Sequence, residues 1–350
     1  MDVFVLALAA LAVWGIKLEK IGSPVGADYF STDKCTAIKG LLAVTIVFHH
    51  LAIPTQDGKL MQLFSHVGYL TVAAFFFISG YGMMKKLVSD EKYLDGFILK
   101  RINKIVIPYV IVTGIYWLLS FVIKAPYSVK DVLLGFVNGW PIAENSWYII
   151  VSIVMYAVFW LAAMALKRKS PLLVVLCEAV FCALWMLISK KLGYGQWWYI
   201  SNLSLPIGML WAIYENKIIK FASNSKKLVL MAAAVLALMA ISIVIKRAGN
   251  TDAFYILSSS AFAVALVTIC MKVKLGNPVQ NFLGKLSMEL YLIHGLFITL
   301  FRSNILNIEN DAVYSALVLA CSIVSAKLLS MLFKKTVIRP KCLKKAESAA

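Results

Sequence analysis

Lys39 and His50 stand eleven residues apart in the run IKGLLAVTIVFHHL, a stretch apolar enough to be buried in lipid. Eleven steps of about 100° make roughly three turns plus 20°, so on a helix the two side chains share one face, about 16 Å apart. A cation near one membrane surface and an imidazole near the other then line a single path through the bilayer. Ionisable groups are costly in hydrocarbon, so the pair is read as functional. His49 points about 100° away, which leaves His50 as the partner of Lys39 and His49 as a polar residue at a helix end. A neutral imidazole at His50 can take a proton from a hydroxyl, which is the task of a general base.

Other groups have both a chemical and a structural reading. Ser79 and Tyr81 close the apolar run HVGYLTVAAFFFISGYGMMKK, where Gly80 and Gly82 permit close backbone approach; alone, this pattern means packing. Lys100, Arg101 and Lys104 form a basic amphipathic stretch ahead of Pro108. It suits a headgroup anchor, or a phosphate clamp, since Arg offers a fork matched to phosphate oxygens and Lys a mobile point charge. Glu144, Asn145, Trp147 and Tyr148 open another apolar run, as an aromatic belt or as a platform for a sugar face, and the same duality holds for Gln196, Trp197, Trp198 and Tyr199. Glu178 lies within an apolar run without an evident basic partner. Lys285, Ser287, Glu289, Tyr291 and His294 lie along NPVQNFLGKLSMELYLIHGLF, with His294 the deepest, either a satisfied core histidine or a functional one. No phosphate-binding GxxxxGK loop, GxSxG elbow or HExxH helix occurs, which removes most ATP-driven, serine-hydrolase and zinc-protease readings. The six cysteines (Cys35, Cys177, Cys182, Cys270, Cys321 and Cys342) have no CxxC spacing, so neither a disulfide framework nor a metal site is expected.

The elements that must hold these groups are membrane helices. The chain has 350 residues, 61% hydrophobic and 15% charged, with a mean hydropathy of +0.82; no soluble domain has that composition. The apolar runs are continuous rather than alternating, so the expected fold is an all-α polytopic transmembrane bundle and not a barrel. Eleven spans are expected: Val3 to Ile16, Ala37 to Ala52, Gly68 to Met84, Ile105 to Ile123, Trp147 to Leu166, Leu172 to Ser189, Trp198 to Tyr214, Leu228 to Ile245, Ala253 to Met271, Leu286 to Phe301 and Val313 to Phe333.

Basic clusters test the count, because Lys and Arg gather on cytoplasmic loops. They alternate as required: Lys17 to Lys34, Lys85 to Lys104, Lys167 to Lys169, Lys217 to Lys227, Lys272 to Lys285 and the tail from Lys334 to Lys345 all fall on one side. The amino terminus is therefore expected outside and the carboxyl terminus in the cytoplasm. The net charge of +18 reflects this bias and attraction to anionic lipid heads, not nucleic acid. The expected organisation is an amino-terminal helix and cytoplasmic linker over 1–32, a membrane domain over 33–335 and a basic cytoplasmic tail over 336–350. No basic residue precedes the first span, which argues against a cleaved signal, although its Ala-rich composition leaves the point open.

Four separated segments, IKGLLAVTIVFHHL, AFFFISGYGM, KRINKIVIPY and FLGKLSMELYLIHG, resemble in order and spacing the motifs of the acyltransferase family 3 integral membrane O-acyltransferases. LPIGMLW around Pro206 adds to the likeness, which extends from about Asp33 to Phe333. The resemblance implies about ten core helices, to which the amino-terminal helix is an addition, in a bacterial cytoplasmic membrane. It also implies transfer of an acyl group, commonly acetyl, from cytoplasmic acyl-CoA to a hydroxyl of an envelope glycan. The family hallmark of a basic residue, ten intervening residues and a histidine falls on Lys39 and His50; where the family often has Arg, this chain has Lys39, which keeps the charge and loses the fork. By this resemblance His50, Lys39 and His294 are the expected catalytic residues. Arg101, Lys104, Lys100, Ser79 and Tyr81 are the expected donor-binding residues, with acetyl-CoA as co-substrate and no metal. Trp147, Tyr148, Glu144 and Asn145 are expected at the acceptor. Expected partners are acyl-CoA, the glycan, membrane lipids and glycan-synthesis proteins. The alternatives are a secondary transporter or flippase for a glycan or small anionic metabolite, against which stands the lack of a visible internal repeat, and a scaffold for a polysaccharide synthase.

Overall fold

The computed structural model describes residues 1–20, 23–135, 137–166 and 169–335. Lys167, Arg168, Cys342 and the tail over 336–350 lie outside them. From the amino terminus, α1 (Asp2–Val13) leads through the two-residue strand β1 (Lys17–Leu18) to α2 (Thr32–Leu51), which carries Lys39 and His50. The short α3 (Lys59–Leu63) and a 3-10 turn (Phe64–His66) turn the chain into α4 (Gly68–Ser89). Next, α5 (Phe97–Arg101) continues through a π-helical segment (Ile102–Val106) into α6 (Ile107–Val122). Then come α7 (Val129–Leu134), α8 (Trp147–Ala165) and α9 (Pro171–Lys191). The chain proceeds through α10 (Ser204–Ala222), α11 (Ser225–Arg247) and α12 (Thr251–Cys270) to β2 (Val273–Lys274), which pairs antiparallel with β1. It ends in α13 (Pro278–Lys285), α14 (Ser287–Phe301) and α15 (Asp311–Lys335).

The protein is a polytopic helical bundle. Among the described residues seven helices are long and apolar enough to cross a membrane: α2, the continuous Phe97–Val122 segment, α8, α9, α11, α12 and α15. Two bent pairs bring the number to nine, α3 and its turn with α4 at 53°, and α13 with α14 at 74°. The remaining two of the eleven expected spans are helical but do not meet that test. Helix α1 has 12 residues, about 18 Å of rise. Helix α10 starts at Ser204 rather than Trp198 and carries Glu215, Lys217 and Lys220.

Loops that the charge pattern assigns to one side bond to one another. Lys272 Nζ donates to the Ser23 carbonyl, the Val25 N–H to Ser223 Oγ, and Lys85 pairs with Glu215 at 2.8 Å. At the other end the N–H groups of Gln56 and Asp57 donate to Asp311, those of Leu60 and Met61 to Asp2, and Gln196 Nε2 to Asp252. The two ends are called here the basic end, with Lys85 and Lys272, and the distal end.

Close backbone contact sets the interior. Among the seven spanning helices α2 is the most buried (61%) and α11 the least (17%), so α2 is a core helix and α11 a lipid-facing one. A Cβ at Gly40 would strike the Gln280 carbonyl and one at Gly284 the Thr36 carbonyl, so α2 and α13 meet backbone to backbone beside Lys39. Gly80 and Gly208 do the same for α4 and α10, against the carbonyls of Leu205 and Phe77. Small residues at such crossings are how helices associate in lipid, where no hydrophobic drive separates tail from side chain.

Helix α1 is tied at both ends. Asp2 Oδ1 accepts the N–H groups of Leu60 and Met61 at the start of α3. At its other end, where the last carbonyls of any helix lack partners, Asn277 Nδ2 donates to the carbonyls of Leu11 and Trp14, and Gln280 Nε2 to that of Leu11. Asn277 and Gln280 also form the capping box of α13, so one pair of side chains serves two helix termini.

Candidate active site

Helix α2 runs between two chemically different ends. Near its distal end His50 meets His294 of α14, with His50 Nδ1 and His294 Nε2 2.9 Å apart. His294 is fully buried, and its Nδ1 lies 3.1 Å from the Leu290 carbonyl one turn earlier. A carbonyl oxygen only accepts, so in the neutral ring Nδ1 of His294 carries the proton and its Nε2 is an acceptor. His50 Nδ1–H therefore donates to His294, and His50 Nε2 keeps a free lone pair. The order of partners thus sets the tautomer that a general base needs.

His49 is held by the same logic. Its Nδ1 lies 2.9 Å from the Phe64 carbonyl, so Nδ1–H donates and Nε2 is free. Its ring lies against Gly68, where any Cβ would collide with the imidazole, so the glycine is required by the ring. Expected only to end a helix, His49 proves to wall the same cavity as His50.

That cavity has a volume of about 560 Å³ and opens toward the distal end. Aromatic faces of Tyr69, Tyr127, Trp140, Trp147 and Trp197 surround the two histidines, with Glu144, Asn145 and Tyr291 as further polar walls. An apolar pocket with a few convergent polar groups is the usual form of a small-molecule site. Asn145 adopts a left-handed backbone (φ 64°), a conformation its short polar side chain tolerates, and its carbonyl accepts the Tyr291 hydroxyl. Glu144 Oε1 accepts from Thr299 Oγ1 at 3.0 Å, and burial holds its carboxyl above its ordinary pKa.

Toward the basic end the ionisable groups are cations with aromatic neighbours. Arg101 stacks over Phe97 and Tyr156, 4.8 and 4.4 Å from their ring centroids, and the Tyr156 hydroxyl donates to Ser79 Oγ at 3.1 Å. The π-helical turn begins immediately after Arg101, a local irregularity that is frequent at functional sites. Arg101 and Lys104 lie within electrostatic reach of Lys39. Among the described residues no carboxylate forms an ion pair with any of these three cations. Lys100 is exposed.

Tyr81 lies at the basic end and Tyr148 away from the cavity wall. The Tyr81 hydroxyl donates to Glu215 Oε1 at 2.6 Å and accepts from Lys85 Nζ at 2.8 Å, inside a polar network of the basic end. Tyr148 lies beneath the cavity, packed edge-on against Phe76 and Tyr291, and does not line it. Conversely, Tyr69, Tyr127 and Trp140 line the cavity without having been singled out from the sequence. The one available signal was Gly139-Trp140-Pro141, a turn with an aromatic at its tip and a left-handed glycine (φ 79°). Glu178 is fully buried between helices, with no hydrogen-bond partner on either carboxyl oxygen among the described residues.

A family model described as an acyltransferase domain matches residues 35–334, nearly the whole chain. No curated protein and no solved structure matches the chain significantly. The matched region begins at the helix of Lys39 and His50 and takes in the helix of His294, and the chain belongs to acyltransferase family 3: it is a multi-pass membrane acyltransferase.

Proposed function

We propose that the protein transfers an acetyl group from cytoplasmic acetyl-CoA to a hydroxyl of an extracytoplasmic envelope glycan. The observation that carries this reading is the hydrogen-bonded order Leu290 carbonyl, His294, His50, which leaves the His50 Nε2 lone pair on a ring that walls the distal cavity. An acceptor hydroxyl in the cavity gives its proton to His50 Nε2 as its oxygen bonds to the thioester carbonyl carbon. The carbon–sulfur bond then breaks, and the departing thiolate takes the proton back. His294 spreads the positive charge that forms on His50, because its Nε2 accepts from the protonated ring throughout.

The basic end suits the donor. Lys39, Arg101 and Lys104 form a cationic group without an acidic ion-pair partner among the described residues, and phosphate oxygens satisfy such a group. The exposed Lys100 serves as a headgroup anchor. Trp147 and its aromatic neighbours offer faces for a sugar ring, with Glu144 and Asn145 as hydrogen-bonding partners. The test is thiol release from acetyl-CoA by purified protein with a glycan acceptor: release dependent on acceptor and on His50 supports transfer, and release that persists in His50→Ala removes His50 from the role. A carrier would release no thiol.

A further inference from the structure

Beside the catalytic cavity lies a second one of about 310 Å³. The two share His49, Gly68, Tyr69 and Trp197 as walls, so they are chambers of one cleft along the distal end. Their chemistry differs. The first chamber contains the Glu144 carboxyl, whereas the polar walls of the second include Ser65, His66, Gln196 and Lys246, with no carboxylate among the described lining residues. Lys246 Nζ stands 4.7 Å from the centroid of Phe254 and forms no ion pair among the described residues. The neighbouring acid, Asp252, is already engaged by Lys190, Gln196 and Tyr199.

The floor of the second chamber is preformed. Tyr69 and Tyr255 meet edge to face at 4.9 Å, and the Tyr69 hydroxyl is within 3.3 Å of Ser258 Oγ. At the shared wall, His49 is fixed through Nδ1 and Gly68, so its Nε2 offers an acceptor to a hydroxyl in either chamber.

Resting on the transfer reaction above, we propose that the acceptor is a chain of at least two sugar units, and that the unit next to the acylated one carries an anionic group held in the second chamber by Lys246 and His66. A lone monosaccharide would leave that chamber to water, and a second unit with a carboxylate or phosphate would meet an unpaired cation there. Binding and catalysis separate this proposal from the reading it rests on. Binding is measured by tryptophan fluorescence on the full chain in nanodiscs, with a glucuronic acid–glucose disaccharide as the anionic probe and cellobiose as its neutral match.

The expected result is tighter binding of the acidic disaccharide, with the preference reduced about fivefold in Lys246→Ala, abolished in Lys246→Glu and retained in Lys246→Arg. Equal affinity of the two disaccharides for the wild-type protein, no binding of either, or an unaltered preference in Lys246→Glu overturns the proposal. His50→Ala is expected to bind both probes and release no thiol. Should His50→Ala still release thiol, the catalytic reading fails while the binding result stands.

Discussion

The two ends of α2 are built on opposite principles. At the basic end Lys39, Arg101 and Lys104 bring charge together, and among the described residues no acid pairs with them. At the distal end His49 and His50 each have a fixed hydrogen-bond partner and a free ring nitrogen. A site that waits for a charged ligand can leave its cations unpaired, because the ligand completes the pairing. A site that must move a proton instead needs its tautomer set before the substrate arrives, and that requires partners in place. On the proposed reading, one helix joins a region completed by binding to a region complete beforehand.

Substitutions at the two ends should therefore fail in different ways. The largest effect is expected for His50→Ala, a loss of about a thousandfold in the rate of thiol release with normal membrane expression, since the base itself is gone. His294→Ala should cost about a hundredfold in kcat with little change in either KM, because the His50 ring loses its tautomer anchor but the cavity keeps its walls. A change confined to KM would place His294 in binding instead. At the basic end, Arg101→Ala should raise the KM for acetyl-CoA roughly tenfold while kcat holds, as a charge-assisted contact is lost. Measured donor kinetics that do not move would make Arg101 a headgroup anchor like Lys100.

Gly284→Ala tests the close contact that supports the basic end. Its Cβ would strike the Thr36 carbonyl next to Lys39, so a destabilisation of about 1–3 kcal/mol is expected by thermal unfolding, larger than for an alanine at the uncrowded Gly82. The smallest effect is expected at Glu144. Burial raises its pKa, so in that range the folded chain binds more protons than the unfolded one, and stability falls as pH rises through it. Glu144→Gln keeps an acceptor for Thr299 and should flatten that acid-side slope of the melting temperature, with acceptor KM altered by no more than a few-fold. A slope unchanged in the variant would assign the titration to another group.

The axis of the candidate site is more legible in the sequence than its walls. The eleven-residue spacing of Lys39 and His50 is a property of one helix, and helical geometry suffices to read it. His294 stood out as an imidazole in an apolar run, but its bond to His50 joins residues 244 apart in sequence, and no local pattern encodes that meeting. Tyr148 and Trp147 are adjacent and read alike, yet a 100° step along α8 sends one into the aromatic packing and the other to the cavity. The bond of Tyr81 to Glu215 on α10, 134 residues later, is equally hidden from any local pattern. The bundle itself followed from hydropathy and from the alternation of basic loops. The 12-residue α1 departed from the spanning pattern because it is short, its last carbonyls being met by Asn277 and Gln280, and α10 because it carries Glu215, Lys217 and Lys220.

Helix α1 works as a clasp on the helix that carries Lys39 and His50. One of its ends grips α3, which leads directly to Phe64, the anchor of His49; the other grips the start of α13, whose Gly284 presses on α2 beside Lys39. These twelve residues therefore brace two supports of α2 at once, the turn that anchors His49 and the helix that packs beside Lys39.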